Sequence, residues 1–103
     1  MTGQMWTLQS SADDSDIEPL TFRLSPGAIK TIGRSAAADL ILDAVLVSRI
    51  HCRLEANQET LEVTDLESTN GIYVNGERVA NAHMIPGDRL KVGRVELEVG
   101  RSN

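Results

Sequence analysis

RIHCRLEANQETLEVTDLESTNGIYVNG, residues 49–76, is the stretch that decides the fold class. Cys52, Leu54 and Ala56 alternate with His51, Arg53 and Glu55, the period of a strand with one buried face. Asn57-Gln58-Glu59 turns the chain into a second run, Leu61 to Leu66. Ile72 to Val74 then runs into Asn75-Gly76, a two-residue hairpin signal because both positions tolerate positive φ.

The same pattern extends in both directions. Upstream, Trp6 and Leu8 alternate with Thr7 and Gln9, and Phe22 and Leu24 with Thr21 and Arg23. Ile29 to Ile32 reads as a strand after the Pro26-Gly27 turn, and Leu40-Ile41-Leu42 as a short strand covered on both faces. Downstream, Pro86-Gly87-Asp88 is a turn, and Leu90 to Val99 is a last hairpin about Gly93-Arg94. No window holds apolar residues at helical spacing behind a cap. Short strands at this spacing indicate an all-β sandwich or barrel.

At 103 residues the chain is expected to form one domain over 1–103, with its core at about 5–100 and an acidic, exposed loop at about 10–19. One cysteine, Cys52, leaves no internal disulfide and no multi-cysteine metal site. Alternation turns that thiol inward, as core. Met1 to Ser15 lacks the basic and apolar regions of a leader, and no apolar run approaches bilayer length. The expectation is a soluble, cytoplasmic protein. No cofactor or metal is expected.

Charge narrows the function. The net charge of −5 argues against nonspecific binding to nucleic acid or a membrane surface. With only three aromatics, Trp6, Phe22 and Tyr73, a base-stacking surface has little to work with. Residues 30–53 are nonetheless net positive, with Lys30, Arg34, Arg49 and Arg53 against Asp39 and Asp43. Here lie Gly33-Arg34 and Ser48-Arg49-Ile50-His51, two of three turn-like pieces rich in donors. Ser68-Thr69-Asn70-Gly71 is the third. Guanidinium, hydroxyl and amide donors without an activated nucleophile make a cradle for an oxyanion, read here as phosphate.

These blocks, in this order, resemble a known family. Gly33-Arg34, Asp39 to Leu42 and Val47 to His51 look like the first half of the forkhead-associated (FHA) domain signature. Asp65, Ser68 to Gly71, Asn75-Gly76 and Gly87-Asp88 look like the second. The resemblance implies a two-sheet antiparallel β-sandwich of about eleven strands whose loops at one end bind phosphothreonine peptides. It implies partners phosphorylated by a Ser/Thr kinase, and no nucleic acid or membrane partner.

In that reading Arg34, Ser48, Arg49 and Thr69 contact phosphate. Arg34 is the main anchor, because a guanidinium presents parallel donors and stays charged. A salt bridge to Asp39 is its structural alternative. Asn70 brackets the peptide backbone with its carboxamide. Leu46 and Val47, before Ser48, face the third residue after the phosphothreonine, so an apolar side chain is expected there. His51 supports the Ser48 loop from below, although odd spacing would point it away from Ser48 on a regular strand. Gly33, which lets Arg34 bend into its loop, joins Gly71, Asn75 and Gly76 as structural support. His83 is assigned no role.

Two rivals remain. Ser48, His51 and Asp65 are the residue types of a hydrolase triad, though no Gly-x-Ser-x-Gly elbow accompanies them. The other is an interaction sandwich indifferent to phosphate.

Overall fold

A computed structural model describes residues 5–11 and 17–102. Of the expected acidic loop, Asp13, Asp14 and Asp16 lie outside the described residues. Eleven strands follow one another: β1 (Met5–Ser10), β2 (Thr21–Leu24), β3 (Ile29–Gly33), β4 (Leu40–Ile41), β5 (Cys52–Ala56), β6 (Leu61–Asp65), β7 (Ile72–Val74), β8 (Glu77–Val79), β9 (Asn81–Met84), β10 (Arg89–Val92) and β11 (Val95–Ser102). They form a six-stranded sheet, ordered β2-β1-β11-β10-β7-β8, and a five-stranded sheet, ordered β4-β3-β5-β6-β9. All pairings are antiparallel except β3 with β4. The fold is the expected β-sandwich. Among the described residues no helix is long and apolar enough to cross a membrane.

Alternation fixes which face each strand buries. Trp6 and Leu8 from β1, Leu54 from β5 and Leu90 from β10 are fully buried between the sheets. Each such side chain contributes roughly 1.5–3 kcal/mol relative to exposure. Cys52 lies in this core at 0% exposure. Burial, with Asp65 nearby as a lesser cause, pushes its thiol pKa up to about 12.

Two expectations change. Leu40-Ile41-Leu42 is not a strand covered on both faces: β4 holds two residues at the sheet edge, and Ile41 is 48% exposed. Leu42 beyond it is buried, so the apolar run spans an edge and a loop anchor. His51 does not continue the outward face of β5. That strand starts at Cys52, and the His51 ring is fully buried.

Strand direction gathers the loops. β3 and β6 end, and β5 and β7 begin, beside the same three connections: 34–39, 42–51 and 66–71. The β10–β11 turn underlies them, because a Cβ on Gly93 would stand 3.0 Å from the Val45 carbonyl oxygen.

Candidate functional site

The site begins where two backbones touch. A Cβ on Gly33 would stand 2.0 Å from the Arg49 carbonyl oxygen, so only glycine lets β3 pass this close to the loop before β5. Close approach, rather than a special bend, explains this glycine. Beyond it, Arg34 N–H donates to the Ser48 carbonyl at 2.9 Å and Ser35 N–H to that of Arg49 at 3.2 Å. Arg34 is thereby pinned beside Ser48.

The exposed Arg34 side chain is oriented without being neutralised. Its Nε donates to the Val47 carbonyl at 3.0 Å, which fixes the guanidinium plane. Its two terminal nitrogens have no partner among the described residues, leaving parallel donors aimed outward. Asp39 does not take them. Its carboxylate accepts from Thr31 N–H at 2.9 Å and Thr31 Oγ1 at 3.2 Å, and the backbone bond holds its pKa below the usual range.

His51 ties the cradle together from below. Its Nδ1 accepts the Ser48 N–H at 3.0 Å, so Nε2 carries the proton and donates to the Gly71 carbonyl at 2.8 Å. Residues 48–51 are not strand, which is how the ring turns back toward Ser48. One fully buried ring thus joins two loops.

The third loop closes on the second. Thr69 N–H donates to Ser48 Oγ at 3.2 Å, and Asn70 Nδ2 to the Leu46 carbonyl at 3.0 Å. The Ser48 and Thr69 amides are therefore already bonded within the site. Among the described residues, Asn70 Oδ1 and its second side-chain N–H have no partner. Ser68 serves the loop: its hydroxyl donates to Asp65 Oδ1 at 2.5 Å and accepts Gly71 N–H at 2.8 Å. Gly71 sits at φ +78°, and a Cβ there would meet the Arg78 guanidinium at 2.6 Å.

Two open depressions, about 580 and 630 Å³, flank the Ser48–Thr69 contact and share Arg34, Ser48 and Thr69 as their common wall. That volume fits an extended segment better than one small molecule's enclosed pocket. The first is bordered by Asp43, Val45, Leu46 and Asn70, the second by Ser35, Arg49 and Glu67.

Not every expected residue takes its expected place. Val47 turns its side chain into the core at 3% exposure and offers the site only its carbonyl. The exposed apolar pair is Val45 and Leu46, at 58% and 48%. Asn75 and Gly76, at φ +52° and +86°, form the hairpin turn at the other end of β7. Asn75 there binds Asp88 and the Arg89 amide, supporting the sheet rather than the cradle. Asp43, Val45 and Glu67 carried no signal in the sequence beyond adjacency to the blocks.

The hydrolase geometry is absent. Both His51 nitrogens are bonded to backbone, neither to Ser48 Oγ, and Asp65 bonds Ser68 instead of the imidazole. Among the described residues no three metal-ligating side chains gather.

Loops at one end of the sandwich thus bring Arg34, Ser48 and Thr69 to one spot, with the Arg34 guanidinium ends free among the described residues, a donor set whose chemistry suits an oxyanion. The chain belongs to the FHA domain family, whose sequence profile matches residues 30–93. Over 78 residues it is 40% identical to the ABC transporter ATP-binding/permease protein Rv1747 of Mycobacterium tuberculosis, covering 76% of this chain and 9% of that one. It is 39% identical over 70 residues to the glycogen accumulation regulator GarA of the same organism, covering 68% and 43%. The chain therefore spans less than half the length of these relatives. Among solved structures, an FHA domain described for its phosphothreonine-dependent interactions superposes with a TM-score of 0.78 at 30% identity, covering 96% of both chains.

Proposed function

We propose that this chain, read as a single FHA domain over residues 1–103, binds phosphothreonine peptides and recruits proteins phosphorylated by a Ser/Thr kinase. The observation that carries this reading is the shared wall of Arg34, Ser48 and Thr69, with the guanidinium ends left free. A phosphothreonine brings about two negative charges and three acceptor oxygens. Arg34 takes two of those oxygens in parallel, while the Ser48 and Thr69 hydroxyls and the Arg49 side chain converge on the remainder. Asn70 holds the peptide main chain with its unused N–H and Oδ1.

Likeness to a domain with phosphothreonine-dependent interactions supports the ligand. The work is recognition, not catalysis, since both His51 nitrogens are spent on backbone. A cytoplasmic location is proposed with it, in keeping with a relative named as a regulator of glycogen accumulation. Binding at such an open site is set near the low-micromolar range, about −8 kcal/mol.

Fluorescence polarisation with matched phosphothreonine and plain threonine peptides tests the reading. The phosphorylated peptide is expected to bind tighter by roughly two orders of magnitude, the scale of losing one partner of a charge pair. Equal affinities would instead favour a sandwich that recruits unmodified protein.

A further inference from the structure

We propose that Glu67 selects a cationic side chain on the amino-terminal side of the phosphothreonine, an inference that rests on the functional reading above. Glu67 is an exposed carboxylate on the rim of the second depression, which it shares with Arg34 and Arg49. An acid beside a dianion-binding pair opposes the ligand unless something in that ligand answers its charge. Arg49 does not answer it: among the described residues Glu67 has no hydrogen bond or ion pair.

Its backbone sharpens the point. Glu67 stands at φ +56°, a conformation in which glycine is free and a side chain is disfavoured. Among the described residues the other non-glycines at positive φ are Asn75, in its hairpin, and Leu46, on the opposite rim. Leu46 and Glu67 thus each place a side chain beside the phosphate cradle from a backbone conformation that favours none.

The two rims differ in chemistry. The family resemblance assigns the residues after the phosphothreonine to the Leu46 rim, and Glu67 borders the other depression, so the residues before the phosphothreonine are assigned to the Glu67 side. A lysine or arginine one or two residues before the phosphothreonine would then pair with Glu67 while leaving both arginines to phosphate. Asp43 borders the first depression and not the second, which makes it the control for this position.

The test is a titration of one phosphothreonine sequence carrying Lys, Ala or Glu at both positions before the phosphorylated residue, with an unphosphorylated Lys peptide alongside. Wild type, Glu67→Gln, Glu67→Gly and Asp43→Asn are compared at about 0.1 M salt. Wild type should prefer Lys over Glu by roughly fivefold or more, the scale of an exposed pair gained plus a repulsion removed. Both Glu67 variants should lose most of that preference, and Asp43→Asn should keep it. Phosphate-dependent binding with no Lys preference, or a preference that survives in both Glu67 variants, overturns this inference alone. Loss of the preference in Asp43→Asn as well would assign it to net negative charge and overturn it too. Equal binding of phosphorylated and plain peptides overturns the functional reading together with the inference.

Discussion

His51 Nε2 donates to the Gly71 carbonyl across 2.8 Å while Nδ1 of the same ring accepts the Ser48 amide at 3.0 Å. Loops twenty residues apart are thereby fixed by one neutral tautomer with no access to water. His51→Ala leaves a buried donor, a buried acceptor and a cavity, each a recognised source of large losses. Urea unfolding should show a deficit of about 2–4 kcal/mol, with peptide affinity falling as Ser48 loses its support.

Gly33→Ala should be damaging in the same region for a different reason. The new Cβ meets backbone, the Arg49 carbonyl at 2.0 Å, which no rotamer change relieves. A stability loss of about 3 kcal/mol or more is expected, with displaced amide resonances concentrated at residues 33–35 and 48–50. A wild-type melting profile would show that the two backbones separate more easily than this contact implies.

Cys52 gives a dependence on alkaline pH. Its thiol pKa is raised to about 12 in the folded protein, so the folded state keeps its proton where the unfolded state, near 8.5, loses it. Stability from this group is whole below about pH 8.5 and falls toward pH 12, by about 1.4 kcal/mol per pH unit. Urea midpoints from pH 8 to 10.5 should decline more steeply in wild type than in Cys52→Ala. Parallel slopes would remove the thiol as the cause.

Leu46 is expected to set a preference on the other side of the proposed phosphate site. An oriented phosphopeptide library should select apolar residues three positions after the phosphothreonine, by a few-fold, and Leu46→Lys should shift the choice toward acids. Val47→Thr should alter stability before specificity, because that side chain lies in the core.

Most of the architecture was legible because alternation and turn chemistry act locally. The β5 and β6 faces, the Asn75-Gly76 hairpin and the inward Cys52 follow from period and φ alone. Long-range contacts were not legible. The outward face of β9 is polar, Asn81 and His83 against Ala82 and Met84 inward, so its place in the second sheet depends on pairing with β6. The Leu40-Ile41-Leu42 run misled because an edge strand followed by a buried anchor mimics a covered strand. In the site, residue types suggested the donors, but the sequence could not show that the Ser48 and Thr69 amides are already bonded. Nor could it separate exposed Leu46 from buried Val47, since positive φ at Leu46 breaks the alternation there.

The central claim is that the free end of the Arg34 guanidinium receives a phosphate. Calorimetric titration of one phosphothreonine peptide into wild type and Arg34→Ala tests it most directly. Truncating one partner of a desolvated charge pair costs about 2–5 kcal/mol, so Kd should rise at least roughly thirtyfold while circular dichroism stays unchanged. A folded Arg34→Ala protein that holds the peptide as tightly as wild type would contradict the claim.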